Sequence, residues 1–261
     1  MFQTSVLASG SKGNSILIRT ESTKILLDAG LSGRKVTNFI QSIKLDENKM
    51  DAVVISHEHS DHIRGAGIIC RKFQIPLYIS EATYQACYQR LGKLTAGVIH
   101  FSNGSQFTIG NIEIRAFQSS HDVVDGSNFT FKKTGDETRK LAVATDLGFS
   151  SHLMITQLKN STSIILESNH DVNMLINGSY PPHLKQRIKS KQGHLSNEQA
   201  VDVIKKVYHS GLNNIILAHL SEENNLPAKA EKLMWQYLNE KDKNIELIVA
   251  SQYESTKLID I

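Results

Sequence analysis

The stretch Ala52-Val53-Val54-Ile55-Ser56-His57-Glu58-His59-Ser60-Asp61-His62 decides the fold of this chain. An apolar run leads into a short segment that is crowded with histidine and carboxylate side chains. An apolar run of this length, bounded by polar residues, predicts a strand that is buried on both faces. The polar cluster therefore begins where a strand ends, which is the edge at which open α/β folds bind their ligands.

The order of the side chains in this cluster favours a metal site. On an extended segment His57 and His59 point to the same side and can bind one ion. Asp61 and His62 follow in a turn and can face a second ion. Imidazole together with carboxylate suits zinc, manganese or iron, whereas calcium and magnesium sites rarely use histidine. The alternative is a solvated loop that is merely rich in histidine, which would not need its ligands in this order.

The composition is that of an ordinary globular protein. The chain has 261 residues, of which 40% are hydrophobic and 21% charged, with a formal net charge of +3. This length allows a sizeable core, and we expect one domain spanning residues 1–261. So small a positive charge neither opposes nor identifies a nucleic-acid partner. We find no pattern of a secretion signal or a membrane span, so we expect a cytoplasmic protein without a membrane partner, and free thiols at Cys70 and Cys87.

The junction between an apolar strand and a polar side chain recurs along the chain. Further predicted strands end at His121, at Asp146 and at His219. Histidines of a hydrophobic core would instead fall at arbitrary places in strands and helices. Asp28 also ends a predicted strand, and we expect it to support the site, although it could equally cap a helix from Leu31 to Ile43.

Short strands and amphipathic helices predict an α/β fold in which two β-sheets pack together with helices outside. Helices are predicted at Ile63–Phe73, Glu81–Leu91, Asn197–His209 and Pro227–Leu238. The segment 177–191 is interpreted as an insertion with several basic residues, and a strand at Ile245–Ala250 is expected to close the chain.

The pattern HxHxDH, followed by single His, Asp and His residues at later strand ends, resembles the metallo-β-lactamase superfamily. The resemblance implies a metallo-β-lactamase-like four-layer αββα sandwich with two divalent metal ions, zinc or manganese, with iron as a third option. It assigns His57, His59 and His121 to the first ion, Asp61, His62 and His219 to the second, and Asp146 to a bridging position. Two such ions share a hydroxide and stabilise both sides of an in-line displacement. Asp61 would orient that nucleophile.

A larger set of motifs is similar to the WalJ/YycJ group of bacterial nucleases. The motifs are Leu7-Ala8-Ser9-Gly10-Ser11-Lys12-Gly13-Asn14-Ser15, Leu27-Asp28-Ala29-Gly30, Ala144-Thr145-Asp146-Leu147-Gly148, Glu167-Ser168-Asn169-His170-Asp171, Gly193-His194-Leu195-Ser196-Asn197 and Ala218-His219-Leu220-Ser221. By this resemblance we expect a metal-dependent phosphodiester hydrolase, namely a 5′-to-3′ DNA exonuclease, with nucleic acid as its partner. The segment Asp122–Asn128 departs from the group because it lacks a proline-valine-glycine step, which leaves the loop shape and the substrate preference open.

Several residues outside the predicted ligand set are candidates for binding a substrate phosphate. They are Ser11, His170, Lys185, Arg187, His194 and Ser196. Ser11 lies in a glycine-rich turn whose backbone amides could approach an anion, or which simply joins two strands. His194 precedes a helix whose N-terminus favours anions, and with Asp61 it is our candidate catalytic residue. Ser196 could instead only cap that helix, because Gln199 stands at capping-box spacing.

Three other functions remain open at this point. A thioester or lactone hydrolase, or an RNA-processing nuclease of the same superfamily, would use the same ligands. A regulatory scaffold that holds metal without turnover is a further alternative, although it would have no reason to keep the full ligand set. Binding to the DNA backbone should depend strongly on salt, whereas hydrolysis of a small acyl substrate should not.

Overall fold

The computed structural model describes residues 1–43, 50–241 and 245–261, and it contains two β-sheets that pack face to face. In spatial order the first sheet contains β14 (Ile259–Asp260), β1 (Phe2–Ala8), β2 (Ser15–Thr20), β3 (Lys24–Leu27), β4 (Ala52–Val54), β5 (Leu77–Ser80) and β6 (Val98–Phe101). The second contains β13 (Glu246–Val249), β12 (Asn214–Ala218), β11 (Ser163–Glu167), β10 (Leu141–Ala144), β9 (Ser127–Lys133), β8 (Ile112–Gln118) and β7 (Gln106–Ile109).

Helices follow the strands of both sheets. Those that follow strands of the first sheet are α1 (Gly33–Ser42), α2 (Ser60–Ile63), α3 (Ala66–Phe73) and α4 (Glu81–Leu91). Those that follow strands of the second are α5 (His152–Leu158), α6 (Val172–Asn177), α7 (Pro182–Ile188), α8 (Asn197–Val207) and α9 (Pro227–Leu238). Both cysteines are buried in α3 and α4 as free thiols, which confirms that prediction.

The alternation of side chains along each strand explains the layers. In β3, Ile25 and Leu27 belong to the apolar cluster between the sheets, whereas Leu26 packs in the cluster under the helices of the first sheet. In β11, Ile165 faces the other sheet and Leu166 faces the helices of the second sheet. Successive residues of a strand point to opposite faces, so strands buried on both sides must be apolar throughout. The predicted α/β class and four-layer αββα order are confirmed.

The predicted helix Ile63–Phe73 is wrong at its start. The chain forms the single turn of α2 first, breaks at Gly65, and only then enters α3. Gly65 N donates to Ala29 O at 2.7 Å, and a Cβ at Gly65 would lie 2.1 Å from Leu31 O. Only glycine lets the chain pass so close to the loop after β3, and that close approach separates the two helices.

One further boundary differs from the prediction. The segment 177–191, interpreted as an insertion, contains α7. The strand near residue 246 does not close the chain, because β14 follows it and pairs with β1 through Gln3 and Asp260. In the described ranges, none of the helices combines the length and apolarity that crossing a bilayer requires.

The parallel strands of each sheet place their carboxyl ends at one edge. β3 and β4 run parallel in the first sheet, as do β10, β11 and β12 in the second. Polar residues follow these strands at Asp28, His57, Asp146 and His219, and Glu167 is the last residue of β11. Because the two sheets pack together, the two edges bring these side chains to one place.

Candidate metal centre

The HxHxDH segment turns sharply after β4. Ser56 and His57 leave the strand buried, His59 is the N-cap of α2, and Asp61 and His62 lie in its first turn. The extended backbone of His59 and the immediate turn of α2 let the segment present histidines on two sides of one small space. His57 and His59 lie with their ring centroids 4.8 Å apart, whereas His62 approaches His57 from the other side at 3.9 Å.

The structure brings the predicted ligands into two overlapping groups. His57, His59 and His121 form one group, and Asp61, His62 and His219 form another, with ligand atoms within 4.8 Å of one another in each. Asp146 lies between the groups. It clusters with His57 and His62, and also with His219, His194 and Glu167. This is the placement that a bridging carboxylate would have.

The spacing of these atoms fits shared cations better than direct hydrogen bonds. His62 Nε2 lies 3.5 Å from carboxylate oxygens of both Asp61 and Asp146. His219 Nε2 lies 3.6 Å from Asp146 Oδ1, and His121 Nε2 lies 3.7 Å from the same oxygen. Ligands that are each about 2.1 Å from one tetrahedral ion lie roughly 3.4 Å apart. The donor set therefore suits a divalent transition metal at each group.

Buried atoms without partners support the same fit. Within the described residues, His57 Nε2, His219 Nε2 and Asp146 Oδ2 are buried without a hydrogen-bond partner. Leaving such groups unpaired is costly, and native structures seldom do so without a ligand or functional reason. All three atoms belong to side chains of the two ligand groups. A metal ion would satisfy them together.

Three residues at the strand ends adopt the left-handed backbone region. Asp28, Asp146 and His219 have φ of 59°, 56° and 55°. For a residue with a Cβ this conformation costs about 1–2 kcal/mol, and it is found where surrounding structure demands it. Each of the three turns the chain immediately after a buried strand and places its own side chain in the site.

Asp28 is the support that the sequence predicted, and it does not cap α1, because Ser32 does. Its carboxylate accepts hydrogen bonds at 2.8 Å from Ser56 N, from Ser56 Oγ and from the Nδ1–H of His62. This bond leaves Nε2 of His62 to face the ligand space. A carboxylate behind a ligating imidazole fixes the tautomer and the orientation of the ring.

Glu167 plays the corresponding part in the second sheet, and sequence reasoning missed it. Its side chain is fully buried, and Oε1 lies 2.9 Å from His219 Nδ1 and 2.8 Å from His194 Nδ1. Oε2 accepts the backbone hydrogens of Leu147 and Leu195. The available signal was that Glu167, like Asp146, follows an apolar strand directly.

The electrostatics of the site follow from this crowding. Burial opposes ionisation of Asp146, but His219, His62 and other imidazoles outweigh it and hold the pKa of the carboxyl well below its usual value. Burial also opposes a charged His62, but Asp28 and Asp146 raise its pKa well above normal. His57 differs, because burial and neighbouring histidines lower its pKa. Cations that bind here would displace protons from imidazole, so affinity should fall as pH falls.

The glycine-rich turn after β1 braces the centre through Asn14 and several of its backbone amides. Asn14 N donates to Asp61 O at 2.7 Å, and the Asn14 side chain lies 3.1 Å from His62 Nε2. Gly10 N is bound by Asn14 Oδ1, and Lys12 N by Gln252 Oε1. These amides are already paired within the chain. Ser11 itself is an exposed turn residue.

The structure separates the candidate phosphate contacts into two sets. His194 lies at the centre, with its ring 5.0 Å from that of His121 and 5.2 Å from that of His219. His170 is buried nearby, and burial lowers its pKa to about 4. Ser196 caps α8 in a capping box with Gln199, which supports the alternative reading of this residue.

The basic residues of segment 177–191 are less available than their sequence suggests. Lys185 Nζ donates to the carbonyls of Ile176 and Gly178 at 2.8 and 2.7 Å. Arg187 Nε donates to Asp122 Oδ2 at 2.5 Å, next to His121. Both side chains hold loops of the chain together, and the interpretation of Lys185 and Arg187 as contacts for a substrate phosphate stays a prediction.

Comparison with known proteins agrees with this geometry. A family model described as beta-lactamase superfamily domain matches residues 23–219. The chain is 40% identical over 247 residues to exodeoxyribonuclease WalJ of Streptococcus pneumoniae strain D39, covering 94% of this chain and 91% of the relative. It is 40% identical over 238 residues to exodeoxyribonuclease YycJ of Bacillus anthracis, covering 91% and 89%. The metallo-beta-lactamase fold protein YhfI of Bacillus subtilis shares the fold, with a TM-score of 0.75, 18% identity, and coverage of 98% of this chain and 100% of YhfI.

Proposed function

Since this chain belongs to the beta-lactamase superfamily and to its WalJ/YycJ group, we propose that it is a metal-dependent phosphodiester hydrolase that degrades DNA from 5′ ends. One observation carries the proposal: the two ligand groups converge around Asp146 in a chain that is 40% identical to relatives named exodeoxyribonucleases. The substrate class comes from those relatives, whereas the capacity for hydrolysis follows from the donor set itself.

The residues present would hold two divalent ions. His57, His59 and His121 would bind one ion, Asp61, His62 and His219 the other, and Asp146 would contact both. Zinc and manganese suit imidazole with carboxylate, and iron also fits. When bound, divalent ions would lower the pKa of a water molecule toward about 7 and stabilise negative charge on a phosphoryl group.

The chain's own residues would orient the reaction. The Asp61 side chain, 22% exposed, reaches the open side of the centre, where it can align the attacking water with the phosphorus atom. Attack of this water on the phosphorus atom breaks the bond from phosphorus to the 3′ oxygen of the leaving nucleotide. That oxygen must then gain a proton. His194 is 19% exposed at the same centre, and Glu167 holds its Nδ1–H, so Nε2 is the atom that can exchange this proton.

The test is digestion of a DNA duplex labelled at either its 5′ or its 3′ end, with manganese or zinc added. Asp61→Ala and His62→Ala should lose activity, whereas His152→Ala, an exposed histidine of α5, should keep it. We expect stepwise release of the 5′ label as mononucleotide. The rate of digestion should fall as rising salt weakens the binding of DNA.

Other outcomes would redirect the assignment. Release of mononucleotides from the 3′ end would reverse the polarity, and digestion of RNA in preference to DNA would favour a processing nuclease. Hydrolysis of a thioester or lactone, with DNA and RNA left intact under every metal, would overturn the proposal in favour of a small-molecule hydrolase.

A further inference from the structure

A cavity of about 390 Å³ opens beside the second ligand group. Ser9 and Leu220 both line it, and both are tied to the centre. Leu220 directly follows His219, and Ser9 Oγ accepts the backbone hydrogen of His219 at 2.8 Å. The cavity therefore shares a wall with the candidate metal centre, and a ligand in it would be adjacent to a phosphate held there.

We propose that this cavity binds one nucleobase of the DNA strand, next to the phosphodiester group that is cleaved. The inference rests on the proposed function and adds a base-binding subsite to it. The residues that line this cavity are neither predicted metal ligands nor candidate phosphate contacts.

The lining suits a flat aromatic ring with polar edges. Leu220, Leu226, Pro227 and Val249 supply apolar surface, and the side chains of Ser221 and Gln252 lie among them. Pockets for small ligands combine such apolar walls with a few polar groups. A phosphate alone would gain nothing from these walls, whereas a base would bury its faces against them and bond through its edge.

Tyr253 supplies the stacking surface. Its side chain is 61% exposed and lines the cavity from the loop after β13. Its position is nevertheless fixed, because the hydroxyl is hydrogen-bonded to Glu222 and lies 3.1 Å from Lys12 Nζ, and Tyr253 N donates to Ser251 Oγ at 3.0 Å. An exposed aromatic ring that is held in place by its hydroxyl can stack a base at little cost in entropy.

The charges at the rim make stacking, rather than ion pairing, the source of affinity. Lys12 Nζ lies 2.6 Å from Glu222 Oε2 and 5.7 Å from the centre of the Tyr253 ring. The acidic Glu222 largely balances the lysine, so this rim has little net attraction for a free phosphate. A neutral heterocycle suits such a surface.

The walls of the cavity are held by hydrogen bonds within the chain. Asn225 donates to Ser168 O and Asn169 O at 2.9 and 3.1 Å and accepts from Leu226 N at 2.9 Å. Ser9 N donates to Ser251 O at 2.9 Å, which joins the first turn to the loop that carries Tyr253.

An alternative, structural role of Tyr253 is that its hydroxyl only holds these loops together through Glu222. That role needs the hydroxyl, whereas stacking needs the ring.

The decisive experiment compares kcat/KM on two duplexes, one with all bases and one with an abasic residue at the 5′ end or next to it. Tyr253→Ala and Tyr253→Phe are measured on both. We expect Tyr253→Ala to lower kcat/KM about tenfold on normal DNA, mainly through KM, because the stacked base loses its platform. On abasic DNA the base is already missing, so Tyr253→Ala should change kcat/KM less than about twofold. Tyr253→Phe should retain the wild-type value on both. A loss of equal size on both duplexes, or an equal loss for Tyr253→Phe, would overturn the proposal.

A binding measurement separates this inference from the nuclease proposal. Saturation-transfer NMR with thymidine, compared with deoxyribose, needs no catalysis and no metal. Contact of the thymine ring with wild-type protein and its loss in Tyr253→Ala would support the subsite even if no DNA is digested. Digestion of DNA from 5′ ends with thymidine contacts that are unchanged in Tyr253→Ala would refute the subsite and leave the nuclease intact.

Discussion

Each sheet supports a histidine of the candidate metal centre with one buried carboxylate, but the two carboxylates differ in what they hold. Asp28 of the first sheet holds His62 and the neighbouring Ser56. Glu167 of the second sheet holds both His219 and His194, and it also accepts hydrogens from two backbone amides. The second carboxylate therefore connects a candidate ligand to a candidate catalytic residue.

The difference follows from how each half is built. The first half takes most of its ligands from one short segment, whose backbone already sets their relative positions, so Asp28 only has to orient one ring. The second half takes Asp146 and His219 from the ends of separate strands, and His194 from the loop before α8. Glu167 bonds to the loops after β10 and β12 and to the loop before α8. Glu167 thus fixes the relative positions of groups in the second sheet, whereas in the first sheet the backbone of the HxHxDH segment already fixes them.

The largest expected effect is on stability. Glu167→Ala would leave two imidazole N–H groups and two backbone amides without their buried acceptor, so we expect a loss of about 3–5 kcal/mol in the free energy of unfolding. Asp28→Ala removes fewer contacts, and the Ser56 hydroxyl can turn to His62 instead, so the loss should be smaller. Urea denaturation of the metal-free proteins measures both. A loss at Asp28 equal to that at Glu167 would contradict the comparison.

A milder pair of substitutions tests function. Glu167→Gln and Asp28→Asn keep the shape of the side chain but remove its charge, and each should weaken metal binding about 10- to 100-fold. At saturating metal, Asp28→Asn should recover most of its activity on DNA, whereas Glu167→Gln should not, because His194 has also lost its partner. Metal titration combined with cleavage rates separates the two effects.

The matched control for this pair is His194→Ala. If Glu167 acts on cleavage through His194, adding Glu167→Gln to His194→Ala should cost little further activity at saturating metal. Additive losses would place the effect of Glu167 in metal binding alone, and the two carboxylates would then be equivalent.

The same contrast explains what the sequence could predict. The ligands of the HxHxDH segment are neighbours in the chain, so strand periodicity and local spacing suffice to propose them. Asp146 and His219 were also proposed, because each follows a buried apolar strand. The layered fold was predictable for the same reason, since alternation along a strand is a local property.

The role of Glu167 was not predictable in this way. Its importance arises because β10, β11 and β12 lie side by side in one sheet, which no local pattern encodes. The partner of Arg187 was also outside the reach of local patterns. Arg187 pairs with Asp122 of another loop, and pairing over such separations decides which charges remain available to a ligand.

The smallest effect concerns the opposite end of the strands of the second sheet, where the half-buried Lys140 lies close to other cations and shares a pocket with Glu113 and Glu137. Lys140 precedes β10 at the end remote from Asp146, and burial, with Lys132 and Arg115, lowers its pKa to about 8. The ordinary pKa of a lysine is 10.5, so between these two values the unfolded chain binds more protons than the folded protein. Stability at this position should therefore rise with pH through that window, by about 1 kcal/mol after solvent screening.

Lys140→Gln removes the titrating group and tests this sign. Urea denaturation from pH 7.5 to 10.5 should show a rise in the wild-type protein that is reduced in the variant. The variant also loses hydrogen bonds to the carbonyls of Gln157 and Lys159, at 2.6 and 2.7 Å, which lowers its stability at every pH but does not alter the slope. Equal slopes would mean that Lys140 titrates as an ordinary lysine and that burial does not disfavour its charge.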